Sequence, residues 1–169
     1  GVGHFYGHPE RGADMARVIL KRLKFDNATL EDVCALVKYH DIPVEPTVKI
    51  VRRRLRKIGL RRFELLLKVK EADCLGQNPI YREKRLGNIQ AVREVLRKVV
   101  EELCYTVAGL AVGGDDLLAL GFERGPAIGQ TLEALLDMVI EETIRNEREP
   151  LLAEAKNRLS SLKKQGQLR

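Results

Sequence analysis

The sequence predicts an all-α fold, and three observations carry that expectation. Apolar residues recur at helical spacing almost from end to end. No stretch keeps the period-two alternation of a half-buried strand. Leu, Val, Ala, Glu, Lys and Arg dominate, while aromatics are 5% and Trp is absent, a composition that favours helices. With 169 residues, 44% hydrophobic and 32% charged, the chain can bury a real core and is not of the disordered class.

A first helix is expected from about Glu10 to Leu23, with Ala13, Ala16, Ile19, Leu20 and Leu23 along its inward face. Asp26-Asn27 makes a turn, and Asn27 or Thr29 can cap a second helix carrying Leu30, Val33, Cys34 and Val37. That helix ends near Asp41, because Pro43 and Pro46 disfavour continuation. Thr47 caps a third, with Val48, Val51, Leu55 and Ile58 inward and Gly59 closing it. Leu60–Leu75 reads as a fourth helix, residues 76–79 (Gly-Gln-Asn-Pro) as a break, and Glu83–Cys104 as a long fifth helix. The next stretch, Val107–Gly129, holds six glycines and is too broken for one long helix. Asp115 or Asp116 can cap a short helix through Leu120, ended by Gly121. Pro126 suits the first turn of a helix to about Ile144, with Ile128, Leu132, Leu135, Leu136 and Val139 inward. Asn146 introduces the last helix through Leu162, and a polar tail expected to fray follows. The functional division expected is 1–78 and 79–169.

The net charge of +6 sits in one place: residues 49–70 hold ten Lys/Arg against Glu64 alone. Leu55 and Ile58 face inward, so Arg52, Arg53, Arg56 and Lys57 spread over the outer arc, and Arg61 and Arg62 open the next helix. Such a patch suits a polyanion, since the planar guanidinium grips phosphate through two donors. The alternative is a solvated face balanced by carboxylates from elsewhere in the fold, which the local shortage of acids disfavours.

Only three histidines occur, His4, His8 and His40, the last beside Asp41. Imidazoles and a carboxylate from separate helices, here His8, His40 and Asp73, can hold a divalent metal in a helical phosphohydrolase. They also serve as capping and core hydrogen-bonding groups, and His40-Asp41 can close a helix against its dipole. Gly113-Gly114-Asp115-Asp116 looks like a polymerase Gly-Asp-Asp turn, but helix capping accounts for both acids. Gly125 and Gly129 frame a helix start whose backbone N–H groups can cradle a phosphate, and tight helix packing explains them equally well. The three cysteines, Cys34, Cys74 and Cys104, have no metal-site spacing, no run of 18 apolar residues exists, and nothing looks like a signal peptide. A reducing cytoplasm without membrane contact is therefore expected.

Several strings together resemble a known family. HFYGHPERGA from His4 to Ala13, LVKYHD from Leu36 to Asp41, RRFELL from Arg61 to Leu66, and EADC from Glu71 to Cys74 look like the later part of an HD-type domain. The version is the one within bacterial CCA-adding tRNA nucleotidyltransferases and related poly(A) polymerases. GDDLLALG from Gly114 to Gly121, GPAIG from Gly125 to Gly129, and Asn146-Glu147 resemble the C-terminal RNA-binding segment of the same enzymes. By that resemblance His8 and His40 match the two later histidines and Asp73 the final aspartate, so the metal site is half present. The family also carries an N-terminal catalytic head with a metal-binding Asp-x-Asp pair and a nucleotide-selecting neck, using Mg²⁺ and nucleotide. Neither is found in this sequence, which has no initiating Met and reads as a C-terminal fragment or a headless relative.

The resemblance implies an RNA-binding portion that holds a tRNA acceptor arm for an absent head and is itself inactive in nucleotide addition. Arg52, Arg53, Arg56, Lys57, Arg61, Arg62, Gly125 and Gly129 are the expected RNA contacts, and no catalytic residue is expected. The alternative is a metal-dependent HD-type phosphohydrolase acting on phosphoesters through His8, His40 and Asp73. No cofactor is expected beyond a weakly bound divalent metal.

Overall fold

The computed structural model describes residues 7–76, 79–102 and 105–164, and among them every regular element is helical. The helices are α1 (His8–Arg22), α2 (Asn27–Tyr39), α3 (Val48–Ile58), α4 (Leu60–Gly76), α5 (Arg82–Glu102), α6 (Gly114–Ala119), α7 (Pro126–Ile140) and α8 (Arg148–Lys164). Short 3-10 turns stand at Pro79–Tyr81 and Val107–Gly109. The all-α class read from the sequence is the one observed. His4, Cys104 and the tail from 165 lie outside the described residues.

Packing divides the chain into two units, each discontinuous in sequence. One holds the chain up to Thr47 together with Lys57–Glu94; the other holds Val48–Arg56 and the chain from Val95 onward.

In the first unit, α1 packs on α2 and α2 on α4. The close approach depends on Gly12, where an added Cβ would meet Val37 Cγ1 at 3.1 Å. Asp26, rather than Asn27 or Thr29, caps α2: its carboxylate accepts from the Thr29 N–H at 2.9 Å and from the Thr29 hydroxyl at 2.6 Å. Leu30, Cys34, Val44, Phe63, Leu66, Leu67, Cys74, Ile89 and Val92 are buried here. The inward face expected for α1 is only partly covered: Ala13, Ala16 and Leu20 are half-buried. Ile19 and Leu23 are exposed together with Met15, Val18 and Phe25, and no α1 residue is fully buried. Periodicity identifies an apolar face correctly but does not say how much of it a neighbour covers.

The second unit is built on Val112, Leu117, Phe122, Leu132, Leu135, Val139, Leu151, Ala155 and Leu159. From α3, Val51 and Leu55 are almost wholly buried. Helix α7 stops at Ile140, short of the expected Ile144, because Glu142 takes a left-handed conformation (φ 61°) and the Thr143 N–H turns back to the Met138 carbonyl. Asn146 does not cap the last helix, which begins at Arg148. Its side-chain amide donates to the Gly109 carbonyl at 2.8 Å and accepts from the Ala111 N–H at 2.9 Å, fastening the 3-10 turn to the segment before α8. No helix among the described residues is long and apolar enough to cross a membrane.

Candidate nucleic-acid interface

The amphipathic register of α3 follows from its sequence: Val51 and Leu55 enter the core, Arg53, Arg56 and Lys57 are exposed, and Arg52 and Arg54 lie between. Gly59, at φ 79°, ends the helix in a conformation that a side chain would disfavour, and its carbonyl accepts the Phe63 N–H of the next helix at 3.1 Å.

Those cations meet carboxylates. Arg53 donates through Nε to Glu141 at 2.5 Å and pairs with the same carboxylate through its second nitrogen. Lys49 also pairs with Glu141, at 3.1 Å, and donates to the Glu141 backbone carbonyl at 3.0 Å. Arg56 pairs with Glu133 and, at 3.3 Å, with Asp137. Arg52 pairs with Glu102 at 2.8 Å and is largely covered, with 13% of its side chain exposed. It does not belong to the outer arc where the helical wheel put it. The acids that are scarce along the sequence near α3 are therefore supplied in space. Glu133, Asp137 and Glu141 recur every four residues and so form one stripe along α7 and its C-terminal cap; that spacing is the signal sequence reading passed over. Hydrogen bonds from Arg53, outweighing partial burial and helped by Lys49, hold the Glu141 carboxyl down at about 2.

In the first unit, Arg62 donates to Asp32 at 2.8 Å and Arg61 pairs with the other oxygen of that nearly buried carboxylate. The Arg62 hydrogen bond, with Arg61 assisting against burial, lowers the Asp32 pKa. Arg61 nevertheless keeps 73% of its side chain exposed. Lys57 lies 5.5 Å from the Tyr39 ring centroid, a cation–π contact. Arg53, Arg56, Lys57 and Arg61 are thus the exposed cations of the expected set.

Gly125 and Gly129 are exposed, and a Cβ at either would meet nothing within 4 Å. Tight helix packing therefore does not account for these glycines, and the start of α7 stands open. Asp116 acts in local structure: it accepts from the Gly113 N–H at 2.8 Å and pairs with Arg148 at 2.6 Å.

The structure brings His8 and His40 together, with ring centroids 5.5 Å apart in an edge-to-face arrangement. His8 Nε2 lies 3.9 Å from Asp41, and His40 Nδ1 is hydrogen-bonded to the Val37 carbonyl at 2.6 Å. His40 and Asp73 line one cleft of about 690 Å³. Among the described residues no group of three His, Cys, Asp or Glu side chains is placed to hold a metal ion.

Across residues 11–155 the sequence matches the family of tRNA nucleotidyltransferase domain 2. The chain belongs to that family. The domain is 32% identical over 152 residues to a CC-adding tRNA nucleotidyltransferase of Thermus thermophilus, covering 86% of this chain and 32% of the relative. To an A-adding tRNA nucleotidyltransferase of Deinococcus radiodurans it is 31% identical over 137 residues, covering 79% of this chain and 31% of the relative. This tRNA nucleotidyltransferase domain therefore spans about a third of the length of the curated relatives it matches. No solved structure matches it.

Proposed function

We propose that this tRNA nucleotidyltransferase-related chain is an RNA-holding portion that grips the acceptor arm of tRNA beside a catalytic head that adds the nucleotides. The observation that carries the reading is the match over residues 11–155 to a tRNA nucleotidyltransferase domain. Exposed cations within each unit support the reading. A guanidinium has five N–H donors and a carboxylate engages only some of them, so Arg53, Arg56 and Arg61 keep donors for phosphate oxygens. Their carboxylate partners hold the planar forks in place, which reduces the side-chain entropy lost when RNA arrives. The open start of α7 at Gly125 adds room for a phosphate to approach the helix N-terminus. Recognition is by A-form shape and backbone, not by base edges.

The test is tRNA binding by the full chain across a salt series. Saturable binding that weakens steeply with salt is expected. Arg53→Gln with Arg56→Gln should flatten the log–log slope by about 2 units if each meets one phosphate. Unchanged affinity and slope in a variant that melts normally would make these arginines internal ion-pair partners and nothing more.

A further inference from the structure

We infer that α1 is the two-fold contact of a homodimer, its exposed face packing antiparallel on the same face of a second copy. The inference concerns α1 and the turn after it, and stands apart from the RNA grip assigned to α3. Met15, Val18, Ile19 and Leu23 recur at i, i+3, i+4 and i+8, the spacing of one apolar stripe, and Phe25 follows directly after it. The stripe is bare: Met15 and Val18 keep 64% and 68% of their surface, and Ile19, Leu23 and Phe25 are exposed with them. Apolar residues exposed singly need no explanation, but a contiguous run of them on one helix marks a contact surface. These side chains leave roughly 500 Å² of apolar surface per chain in water, so pairing two copies buries about 1,000 Å², the lower edge of a specific interface. That size fits a reversible dimer rather than a permanent one.

The charges choose the partner. One rim of the stripe carries Glu10, Asp14, Arg17 and Lys21, at i, i+4, i+7 and i+11. Arg17 is committed to Glu31 of α2 at 2.6 Å. The rest of that rim is acidic in the first half of the helix and basic in the second, where Arg22 adds to Lys21, and all four side chains are exposed. A two-fold axis perpendicular to the plane of two antiparallel helices brings each rim against itself with its ends exchanged. A crossing near Val18 therefore sets Asp14 against the partner's Lys21 and Arg22, with apolar residues facing one another at the centre. Arg11, exposed at the other end, reaches the partner's Phe25, whose ring is open to a cation. A lipid surface or a polyanion would favour Lys21, Arg22 and Lys24 but would repel Glu10 and Asp14. A second copy matches both halves at once.

The experiment is sedimentation equilibrium of the full chain from about 1 to 300 µM, a range that brackets a dimer of this interface size. A monomer–dimer equilibrium with a micromolar dissociation constant is expected. Val18→Glu sets two like charges beside each other at the two-fold axis and should weaken the dimer about tenfold or more. Val18 is exposed, so melting of the monomer should be unaltered. Asp14→Lys alone and Lys21→Glu alone should each weaken the dimer about threefold or more, by opposing like charges across the axis. Both changes in one chain exchange the signs of the rim, and that double variant should pair more tightly than either single one. Asp14 and Lys21 stand two turns apart on one helix, too far to pair within a chain, so recovery reports contact between copies. A chain that stays monomeric at about 300 µM overturns the inference and gives the face to a different occupant. A dimer indifferent to Val18→Glu, or a double variant no tighter than the single ones, overturns it as well, since another surface or register then joins the copies.

Discussion

Removing the carboxylate stripe of α7 should strengthen tRNA binding rather than weaken it. The perturbation is Glu133→Gln, Asp137→Asn and Glu141→Gln in one chain, near-isosteric changes that delete three negative charges. In the native fold these acids engage Arg56, Arg53 and Lys49, so the cations of α3 reach RNA already partly neutralised. When RNA displaces a carboxylate, the freed acid attracts counterions of its own, and this offsets the counterion release that drives association. Without the stripe, three cations face the backbone unopposed. Each phosphate contact contributes about 0.9 to the log–log salt slope, and the acids cancel only part of that, so the slope should steepen by about 1 unit. Affinity at low salt should rise accordingly, and melting should fall only slightly because exposed ion pairs contribute little. The assay is fluorescence anisotropy with labelled tRNA from about 50 to 200 mM salt. A triple variant that melts near the native temperature yet keeps the native affinity and slope would show that RNA does not meet α3, and the reasoning would fail.

The Glu141 carboxyl should titrate near pH 2 by carboxyl-detected NMR, and Arg53→Gln should move it back toward 4.5. Its folded pKa lies below the unfolded one, so the stability it contributes is present above about pH 4.5 and is lost as pH falls toward 2; acid unfolding that ignores Arg53→Gln across that window would contradict the pairing. Asn146→Ala removes two hydrogen bonds to the Gly109–Ala111 segment and should cost about 1–2 kcal/mol in denaturant unfolding, with Asn146→Asp unable to restore the donor to Gly109. The chain has no Asp-x-Asp pair, so tRNA lacking its terminus, incubated with it, nucleotides and Mg²⁺, should not be extended; extension above a protein-free control would refute this.

The helices themselves were legible because their signals are local. Pro126 at the first turn of α7 and Gly59 after α3 act within a few residues, and both are found where the sequence places them. Capping was harder where neighbours compete: Asp26, Asn27 and Thr29 are all competent, and the carboxylate wins by accepting two hydrogen bonds at once. The environment of the basic patch was not legible, because its partners lie far along the chain. Arg53 and Glu141 are 88 residues apart, and no local count of charge can pair them. The same holds for Arg52, whose covering depends on neighbours that a helical wheel does not contain. The histidines were read by resemblance; their proximity is real, but a shared neighbourhood is not a coordination geometry.

The interleaving of the two units has a consequence for how the chain is made. Residues 48–56 are synthesised well before the rest of the unit they complete, which needs the chain from Val95 onward. At about 5–20 residues per second, roughly 4–17 seconds pass between synthesis of Arg56 and of Ile140 at the end of α7. Throughout that interval Val51 and Leu55 lack the partners that bury them, and Lys49, Arg53 and Arg56 lack their acids. The nascent chain therefore displays a cationic, apolar-backed helix to a compartment crowded with RNA before its own carboxylates arrive. Nor can a protease separate the units at one bond, since the chain passes between them three times, at Thr47–Val48, within α3 and within α5, and a cut at one leaves the other two.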